Sequence, residues 1–187
     1  MLTLIIDTSQ NDSFVAISVN EIITFKKNFD SKDQSKNLLP IIIDILEGNN
    51  LTLDTIDLIA VCTGPGRFTS IRIGVVLAKS LSYGSSTPLA HYNSLIGFST
   101  DNSITIIPNK NELCFSLKGS NLNNEKYSIY CEEKSLISTS DIKVVREFIP
   151  NCNLIQTSYN LDRIINYLHK TKPIGQKDLK IPYFPMH

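Results

Sequence analysis

The sequence has few charged residues and no excess of either sign. Lysine and arginine number 18, as do aspartate and glutamate, so the formal net charge of the 187 residues is +0. A protein that binds nucleic acid on its own usually carries a basic excess, so this function class is disfavoured. Charged residues make up 19% of the chain and hydrophobic residues 42%. Such a composition is unfavourable for solubility alone and indicates a surface that a partner covers.

Long apolar runs are also missing. The chain has no stretch of about 18 apolar residues, the length that a membrane-spanning helix needs. The apolar N-terminus has no basic segment before it and is interrupted at Asp7, which does not fit a signal peptide. The sequence therefore predicts a cytoplasmic protein with no membrane contact.

Spacings typical of metal sites do not occur. The four cysteines are scattered, without a C-x-x-C pair: Cys62, Cys114, Cys131 and Cys152. We expect them to be reduced core thiols. The three histidines form neither H-x-x-x-H nor H-E-x-x-H, so no metal site and no metalloprotease is predicted.

Hydrophobic patterning predicts an α/β chain. In the first half we expect strands at 2–6, 14–19, 22–29 and 58–63 and helices at 35–47 and 69–83, the second closed by Gly84. In the second half we expect strands at 89–92, 104–107, 114–118, 127–132 and 153–156, helices at 94–98, 140–148 and 161–168, and a turn at 120–124. Ser140 is the predicted cap of its helix. The shift in composition after Pro88 predicts two domains, 1–99 and 100–187.

An acidic residue and two hydroxyl residues follow the first predicted strand: Asp7, Thr8 and Ser9. Such side chains at a strand end suit a phosphate or a magnesium-bound water. The alternative is an Asx or hydroxyl turn, in which these side chains bond to their own backbone.

A glycine-rich turn, GPGRFTS from Gly64 to Ser70, joins a predicted buried strand to a helix. Glycines at such a turn let backbone N–H groups approach an anion, and the helix dipole favours it. It is not a Walker A loop, because no Gly-Lys-Ser/Thr follows; the alternative is a tight turn with Thr69 as the helix N-cap. The candidate phosphate-loop residues are Asp7, Thr8, Ser9, Gly64, Gly66, Arg67, Thr69 and Arg72.

Small residues recur every fourth position on the predicted helix 69–83, which lets another helix approach closely. The neighbour is either the chain's own helix 35–47 or a partner subunit, and both hold if the two helices enter a shared bundle. Helix 35–47 is apolar on almost all of its sides, which also indicates that the core or a partner packs around it. The candidate partner interface comprises Leu38, Leu39, Ile42, Ser70, Gly74, Ala78 and Ser82.

Three segments together resemble the TsaB (YeaZ) family. They are Ile-Ile-Asp-Thr-Ser at 5–9, Leu-Leu-Pro at 38–40, and GPGRFTSIRIG at 64–74. The family loop is similar to GPG-x-FTG-hydrophobic-RIG, and the resemblance covers roughly residues 2–99. The tail at 181–184, Ile-Pro-Tyr-Phe, weakly resembles the Pro-x-Tyr-Leu-Arg ending of the family.

The resemblance implies an actin-like (ASKHA, ribonuclease H-like) α/β fold of two subdomains, each a mixed sheet with flanking helices, the C-terminal one reduced. It also implies a non-catalytic subunit of the machinery that makes threonylcarbamoyladenosine in tRNA. Such a subunit binds and stabilises the catalytic subunit TsaD, is joined by the ATPase TsaE, and meets tRNA through the complex. We assign no cofactor to this chain, and the alternatives for ATP or ADP are the interface of the complex, this chain, or the partner alone. A homodimer through the same surface is an alternative pairing.

Some residues depart from the family pattern. Gln34 stands where the family often has His, Arg67 replaces a usual Ser, and Ser70 replaces the second glycine of FTG. An Asp-Ala-Arg is absent near 106–114, where Glu112 is retained. We interpret these departures as loss of nucleotide chemistry with the partner surface retained. The competing hypothesis is a small-molecule kinase or ATPase of the same superfold, against which the lack of a second phosphate loop at 104–109 counts.

Overall fold

The fold consists of two compact units. A computed structural model describes residues 1–30, 34–100, 104–109, 113–118, 121–122, 136–148, 152–175 and 177–179. Unit 1 is Met1–Ser94 together with the segment from Ile164 onward, and unit 2 is Leu95–Arg163. This division differs from the predicted 1–99 and 100–187, because the C-terminal segment returns to unit 1 and nothing in the composition marks that return.

Unit 1 contains a five-stranded mixed sheet in the order β3-β2-β1-β4-β5. Its strands are β1 (Leu2–Asp7), β2 (Asp12–Val19), β3 (Ile22–Asp30), β4 (Leu58–Cys62) and β5 (Leu89–Tyr92). Its principal helices are α1 (Gln34–Glu47) and α2 (Phe68–Ser85). β1 runs antiparallel to β2 and parallel to β4, and β4 is parallel to β5. The predicted meander, and the helix, strand and helix that follow it, are confirmed.

Both helices of unit 1 pack on the same face of the sheet. Alternate residues of β1, Leu4 and Ile6, point into this core, as expected for period-two side chains. They join neighbours on β2 and β4: Val15, Ile17, Ile59 and Val61. The helices contribute Leu38, Ile41, Ile42, Ile45, Leu46, Ile71, Val75 and Ala78. This core fixes which sides of α1 and α2 remain outside.

Unit 2 contains the second sheet, in the order β10-β9-β6-β7-β8. Its strands are β6 (Ile104–Asn109), β7 (Leu113–Lys118), β8 (Asn121–Leu122), β9 (Leu136–Thr139) and β10 (Asn153–Gln156). Its helices are α3 (Leu95–Phe98) and α4 (Ile142–Phe148), and α5 (Leu161–Lys170) spans the boundary between the units. Asn121 and Leu122 form a strand where a turn was predicted. The strand predicted at 127–132 lies outside the described residues.

Helix ends are where local prediction was wrong. α2 begins at Phe68, after Arg67, and ends with Ser86 in the left-handed region (φ 57°). Thr69 and Gly84 are therefore helical residues rather than caps. At this end of the helix a side chain takes part in the hydrogen bonding, since Ser85 Oγ donates to the carbonyl of Leu81 at 2.9 Å.

The predicted cap of α4 is also wrong. Asp141 caps the helix instead of Ser140, with its carboxylate accepting the N–H groups of Lys143 and Val144 at 3.0 and 3.2 Å. Serine and aspartate are similarly good caps. The sequence pattern alone therefore did not decide between these adjacent residues.

The cysteines differ from one another. Cys62 is free and buried, whereas Cys152 is disulfide-bonded. The expectation that all four are reduced is therefore wrong for Cys152, because spacing along the chain does not reveal which thiols the fold brings together. Within the described residues, no helix is long and apolar enough to cross a membrane.

Candidate functional site: the Asp7 cluster and the α1/α2 face

The carboxyl ends of three parallel strands meet at one edge of the unit 1 sheet. Asp7 ends β1, Cys62 ends β4 and Tyr92 ends β5. In open α/β sheets this edge is where ligands bind. We call Asp7, Thr8, Ser9, Cys62 and Tyr92 the Asp7 cluster. Sequence reasoning found three of its members and missed Cys62 and Tyr92, which the parallel pairing of β1, β4 and β5 would have revealed.

The carboxylate of Asp7 is fully engaged inside the chain. The backbone N–H and hydroxyl of Ser9 donate to Oδ1 at 2.8 and 2.7 Å, and the hydroxyl of Tyr92 donates to Oδ2 at 2.8 Å. Asp7 is 0% exposed. The Cys62 thiol in turn contacts the hydroxyl of Ser9 at 3.3 Å. This is the Asx-turn alternative raised from the sequence, extended by two side chains from neighbouring strands.

The glycine turn packs directly on this cluster. The N–H of Arg67 donates to the carbonyl of Ser9 at 3.2 Å, and a Cβ on Gly66 would overlap that carbonyl. Ser94 fixes the other side, since its hydroxyl donates to the carbonyl of Pro65 at 2.6 Å. The Gly64–Pro65 peptide is cis, and Gly64 has a φ of 92°. Gly66 thus permits close packing of the turn on Ser9, while Gly64 provides its positive φ.

The basic and hydroxyl members of the predicted phosphate loop lie on the outside. Arg67, Thr69 and Arg72 are exposed, whereas Gly64 is buried. The guanidinium of Arg72 stacks on the ring of Phe68, 5.2 Å from its centroid. The structure therefore brings Asp7, Thr8 and Ser9 against the glycine turn but leaves the cationic side chains on the surface of α2.

The stripe of small residues on α2 faces the sheet. Thr8 Oγ1 donates to the carbonyl of Ser70 at 2.7 Å, and a Cβ side chain on Gly74 would overlap Thr8 Oγ1. Further along, Ala78 is 0% exposed and Ser82 Oγ donates to the carbonyl of Thr87 at 2.6 Å. The close neighbour of Ser70 and Gly74 is Thr8, which follows β1, whereas Ala78 shares its hydrophobic cluster with residues of α1.

The structure places most of the predicted interface residues inside the chain. Six of the seven are buried: Leu38, Ile42, Ser70, Gly74, Ala78 and Ser82. Leu39, by contrast, is 43% exposed. Small residues at a four-residue spacing mark close packing, but the pattern does not say what packs there.

The outer sides of α1 and α2 carry large apolar residues. Leu39 and Ile43 of α1 are each 43% exposed, while Val76 and Tyr83 of α2 are 58% and 79% exposed. Leu39 and Ile43 are four residues apart and Val76 and Tyr83 seven, so each pair lies on one side of its helix. The two helices contact each other. We call these four residues the α1/α2 face; large apolar groups that are exposed mark candidate interaction sites.

The charge around this face is positive on the α2 side. α2 contains Arg72 and Lys79 and no acidic residue, and Arg67 precedes it. On α1, the exposed carboxylate of Asp44 is paired with Lys27 of β3 at 3.0 Å. A partner that offers apolar side chains flanked by carboxylates would therefore complement this surface.

The start of α1 is fixed by a buried amide. Gln34 is 2% exposed, and its Nε2 donates to the hydroxyl of Ser13 at 2.6 Å. Ser13 lies next to Phe14, which pairs with Asp7 across β1 and β2. Gln34, one of the residues that depart from the resembled family, therefore positions α1 relative to β2 and the Asp7 cluster.

Burial raises the pKa of the Cys62 thiol well above 9.0, and the nearby charge of Asp7 acts in the same direction. A buried thiol of this kind stays protonated and unreactive. Because the unfolded thiol ionises near its ordinary pKa while the folded thiol does not, this group makes the chain lose stability as pH rises past about 9.

Two experiments test the burial of the Cys62 thiol. Iodoacetamide at neutral pH should leave Cys62 unmodified in the folded protein and modify it in urea. Replacing Cys62 by alanine should flatten the fall in the free energy of unfolding between about pH 9 and 10. Peptide mapping by mass spectrometry measures the modification, and urea titrations across that pH range measure the free energy of unfolding. Rapid modification of Cys62 in the folded protein would contradict the burial.

Comparisons with known proteins identify the family. The family model described as "TsaD: tRNA N6-adenosine threonylcarbamoyltransferase" matches residues 28–168. The "tRNA threonylcarbamoyladenosine biosynthesis protein TsaB" of Haemophilus influenzae is 33% identical over 95 residues, which are 50% of this chain and 40% of that protein. The "tRNA N6-adenosine threonylcarbamoyltransferase" of Thermodesulfovibrio yellowstonii is 38% identical over 113 residues, or 52% of this chain and 34% of that protein. The matches thus span less than half the length of these relatives.

A solved structure, "YeaZ from Pseudomonas aeruginosa", matches the fold with a TM-score of 0.71 at 15% sequence identity, covering 98% of this chain and 99% of that chain. The predicted ribonuclease H-like (ASKHA) class, with two mixed sheets and flanking helices, is thereby confirmed. The family model, which matches most of the chain, and the curated TsaB relatives show that the chain belongs to the TsaB (YeaZ) family of the TsaD superfamily.

Proposed function

We propose that this chain is a non-catalytic subunit that binds and stabilises a TsaD-type catalytic subunit in the synthesis of threonylcarbamoyladenosine in tRNA. The observation that carries the proposal is the α1/α2 face, which leaves Leu39, Ile43, Val76 and Tyr83 exposed to water. The names of the relatives, which refer to this tRNA modification, supply the pathway. In this proposal a TsaE-type ATPase binds to the pair, and tRNA binds to the complex rather than to this chain alone. The complex works in the cytoplasm.

The interior of the Asp7 cluster supports a non-catalytic role. A phosphate or a metal-bound water would need the carboxylate of Asp7, which already accepts bonds from Ser9 and Tyr92. In the described part of the chain, no three His, Cys, Asp or Glu side chains converge to hold a metal ion. We therefore assign the chemistry to the partner subunit, and ATP or ADP to the interface of the complex.

The α1/α2 face has the properties of a binding hot spot. Burying one large aliphatic side chain contributes about 1.5–3 kcal/mol, and tyrosine is enriched among the residues that dominate interfaces. Tyr83, at 79% exposure, has the most area to lose among the four. The exposed guanidinium of Arg72 would add orientation by pairing with a carboxylate of the partner.

The test is threonylcarbamoyl transfer to tRNA, with threonylcarbamoyl-adenylate supplied to purified subunits. We expect no transfer by this chain alone and at least about a tenfold rise in the rate of the TsaD-type subunit when this chain is added. Transfer by this chain alone, or an unchanged rate of the TsaD-type subunit, would contradict the proposal.

The competing function is a small-molecule kinase or ATPase. It is favoured by the position of the Asp7 cluster at the carboxyl ends of parallel strands, where nucleotides bind in related architectures. ATP turnover by the purified chain that disappears in an Asp7→Ala variant would establish it. We expect no turnover by either protein, because Asp7 is fully buried.

A further inference from the structure

The segment that follows α5 is basic, although the chain as a whole is neutral. Between Lys170 and Lys180 the sequence has four lysines and one acidic residue, Asp178. The side chains of Lys170, Lys172 and Lys177 are exposed, and we call these three residues the lysine triplet. A local excess of cations on a chain of +0 net charge creates a positive surface that attracts an anionic partner.

The lysine triplet forms no ion pair with the described residues of the chain. Two other exposed lysines of unit 1 are engaged. Lys27 pairs with Asp44 at 3.0 Å, and Nζ of Lys26 lies 4.9 Å from the centroid of the Phe14 ring. The charges of the triplet are therefore not neutralised by the described fold and are available to an external anion.

Contacts of the same segment with unit 1 hold the triplet in place. The N–H of Ile174 donates to the carbonyl of Leu89 at 2.7 Å. Leu179 is 4% exposed, and its carbonyl accepts the ammonium of Lys79 at 3.0 Å. A segment that is already ordered in the free protein loses less conformational entropy when a ligand binds to it.

The outer side of the segment differs from a typical protein interface. Among its described residues no large aliphatic or aromatic side chain is exposed, since Leu179 is buried and Ile174 is half-buried. Protein interfaces depend on aromatic and aliphatic anchors and are depleted in lysine. Lysines instead make contacts with phosphates that are independent of base sequence. The surface therefore fits the phosphate backbone of a nucleic acid better than it fits a protein.

We propose that the lysine triplet contacts the phosphate backbone of the tRNA when this chain is part of the complex. The inference rests on the proposed function, which supplies the tRNA as the substrate of that complex. Three lysines on a neutral chain are too few for tight binding of tRNA by this chain alone. Within the complex they add to the affinity for tRNA and help to orient it.

Binding of labelled tRNA to the assembled complex, followed by fluorescence anisotropy at several salt concentrations, tests the proposal. The triplet variant carries Lys170→Gln, Lys172→Gln and Lys177→Gln. Its matched control carries Lys26→Gln, Lys27→Gln and Lys143→Gln, which change the net charge equally. At about 0.1 M salt we expect at least roughly tenfold weaker binding for the triplet variant and a change within about twofold for the control. The slope of log Kd against log salt should fall by about two to three in the triplet variant.

Size-exclusion chromatography of each mixture separates failure of this inference from failure of the proposed function. If the unmodified subunits do not associate, both are wrong. If they associate, equal affinity of the triplet variant and the unmodified complex for tRNA, or an equal loss in the control, would overturn only the role of the triplet. A triplet variant that no longer binds the TsaD-type subunit or the TsaE-type ATPase would also overturn it, because the segment would then contact a protein.

Discussion

Replacing Gly74 by leucine is expected to destabilise unit 1 by about 3 kcal/mol, at the upper end of overpacking effects. A Cβ at this position would overlap the hydroxyl of Thr8. The helix would have to move from the sheet and give up the bond from Thr8 to the carbonyl of Ser70. Urea unfolding followed by circular dichroism measures the loss.

The same helix offers a matched control for this change. Gly84 lies in α2 with no other atom within 4 Å of a Cβ built there. Gly84→Leu is therefore expected to leave stability unchanged or to raise it by roughly 0.5–1 kcal/mol, because leucine is the better helix former. Equal stability of Gly74→Leu and the original protein would show that the stripe of small residues is not packed on β1.

Replacing Val76 by glutamate is expected to weaken binding to a TsaD-type subunit about 100-fold while leaving this chain folded. Val76 is 58% exposed, so the substitution costs little in the free chain. In the complex it would place a charge among apolar side chains, an effect of about 3 kcal/mol on the binding free energy. Tyr83→Ala is also expected to weaken binding, since it removes the aromatic ring of the α1/α2 face. Titration calorimetry gives both dissociation constants.

Ile155 provides the control for Val76. It is a 41% exposed aliphatic residue on β10 of unit 2, away from α1 and α2 along the chain. Ile155→Glu should leave the dissociation constant within about twofold of the original. If Ile155→Glu and Val76→Glu weaken binding equally, the α1/α2 face is not the specific contact surface.

Patterns that depend on neighbours in the chain were predictable. Alternating residues at 14–19, the short turn at Asn20 and Glu21, and the strand read at 22–29 predicted the β2–β3 hairpin. Its turn has positive φ at Asn20 (46°) and Glu21 (74°), as a type I′ turn requires. The helix predicted at 35–47 is confirmed as α1, Gln34–Glu47. Local propensity and periodicity suffice for such elements.

Contacts between distant segments were not predictable in the same way. Tyr92 reaches Asp7 across 85 positions of sequence, so the Asp7 cluster appears once the parallel strands are paired. The small residues at the start of α2 face the end of β1 because Gly74 fits closely against Thr8. Sequence spacing indicates that one side of a helix is closely packed, and the tertiary fold decides what packs on it.

Size-exclusion chromatography with light scattering, after this chain is mixed with the TsaD-type subunit of the same cell, tests the claim that the α1/α2 face binds that subunit. The α1/α2 face predicts one peak with the mass of a one-to-one complex, and for Val76→Glu two separate peaks at the same concentrations. A mixture of the unmodified proteins that elutes as two separate peaks would contradict the claim.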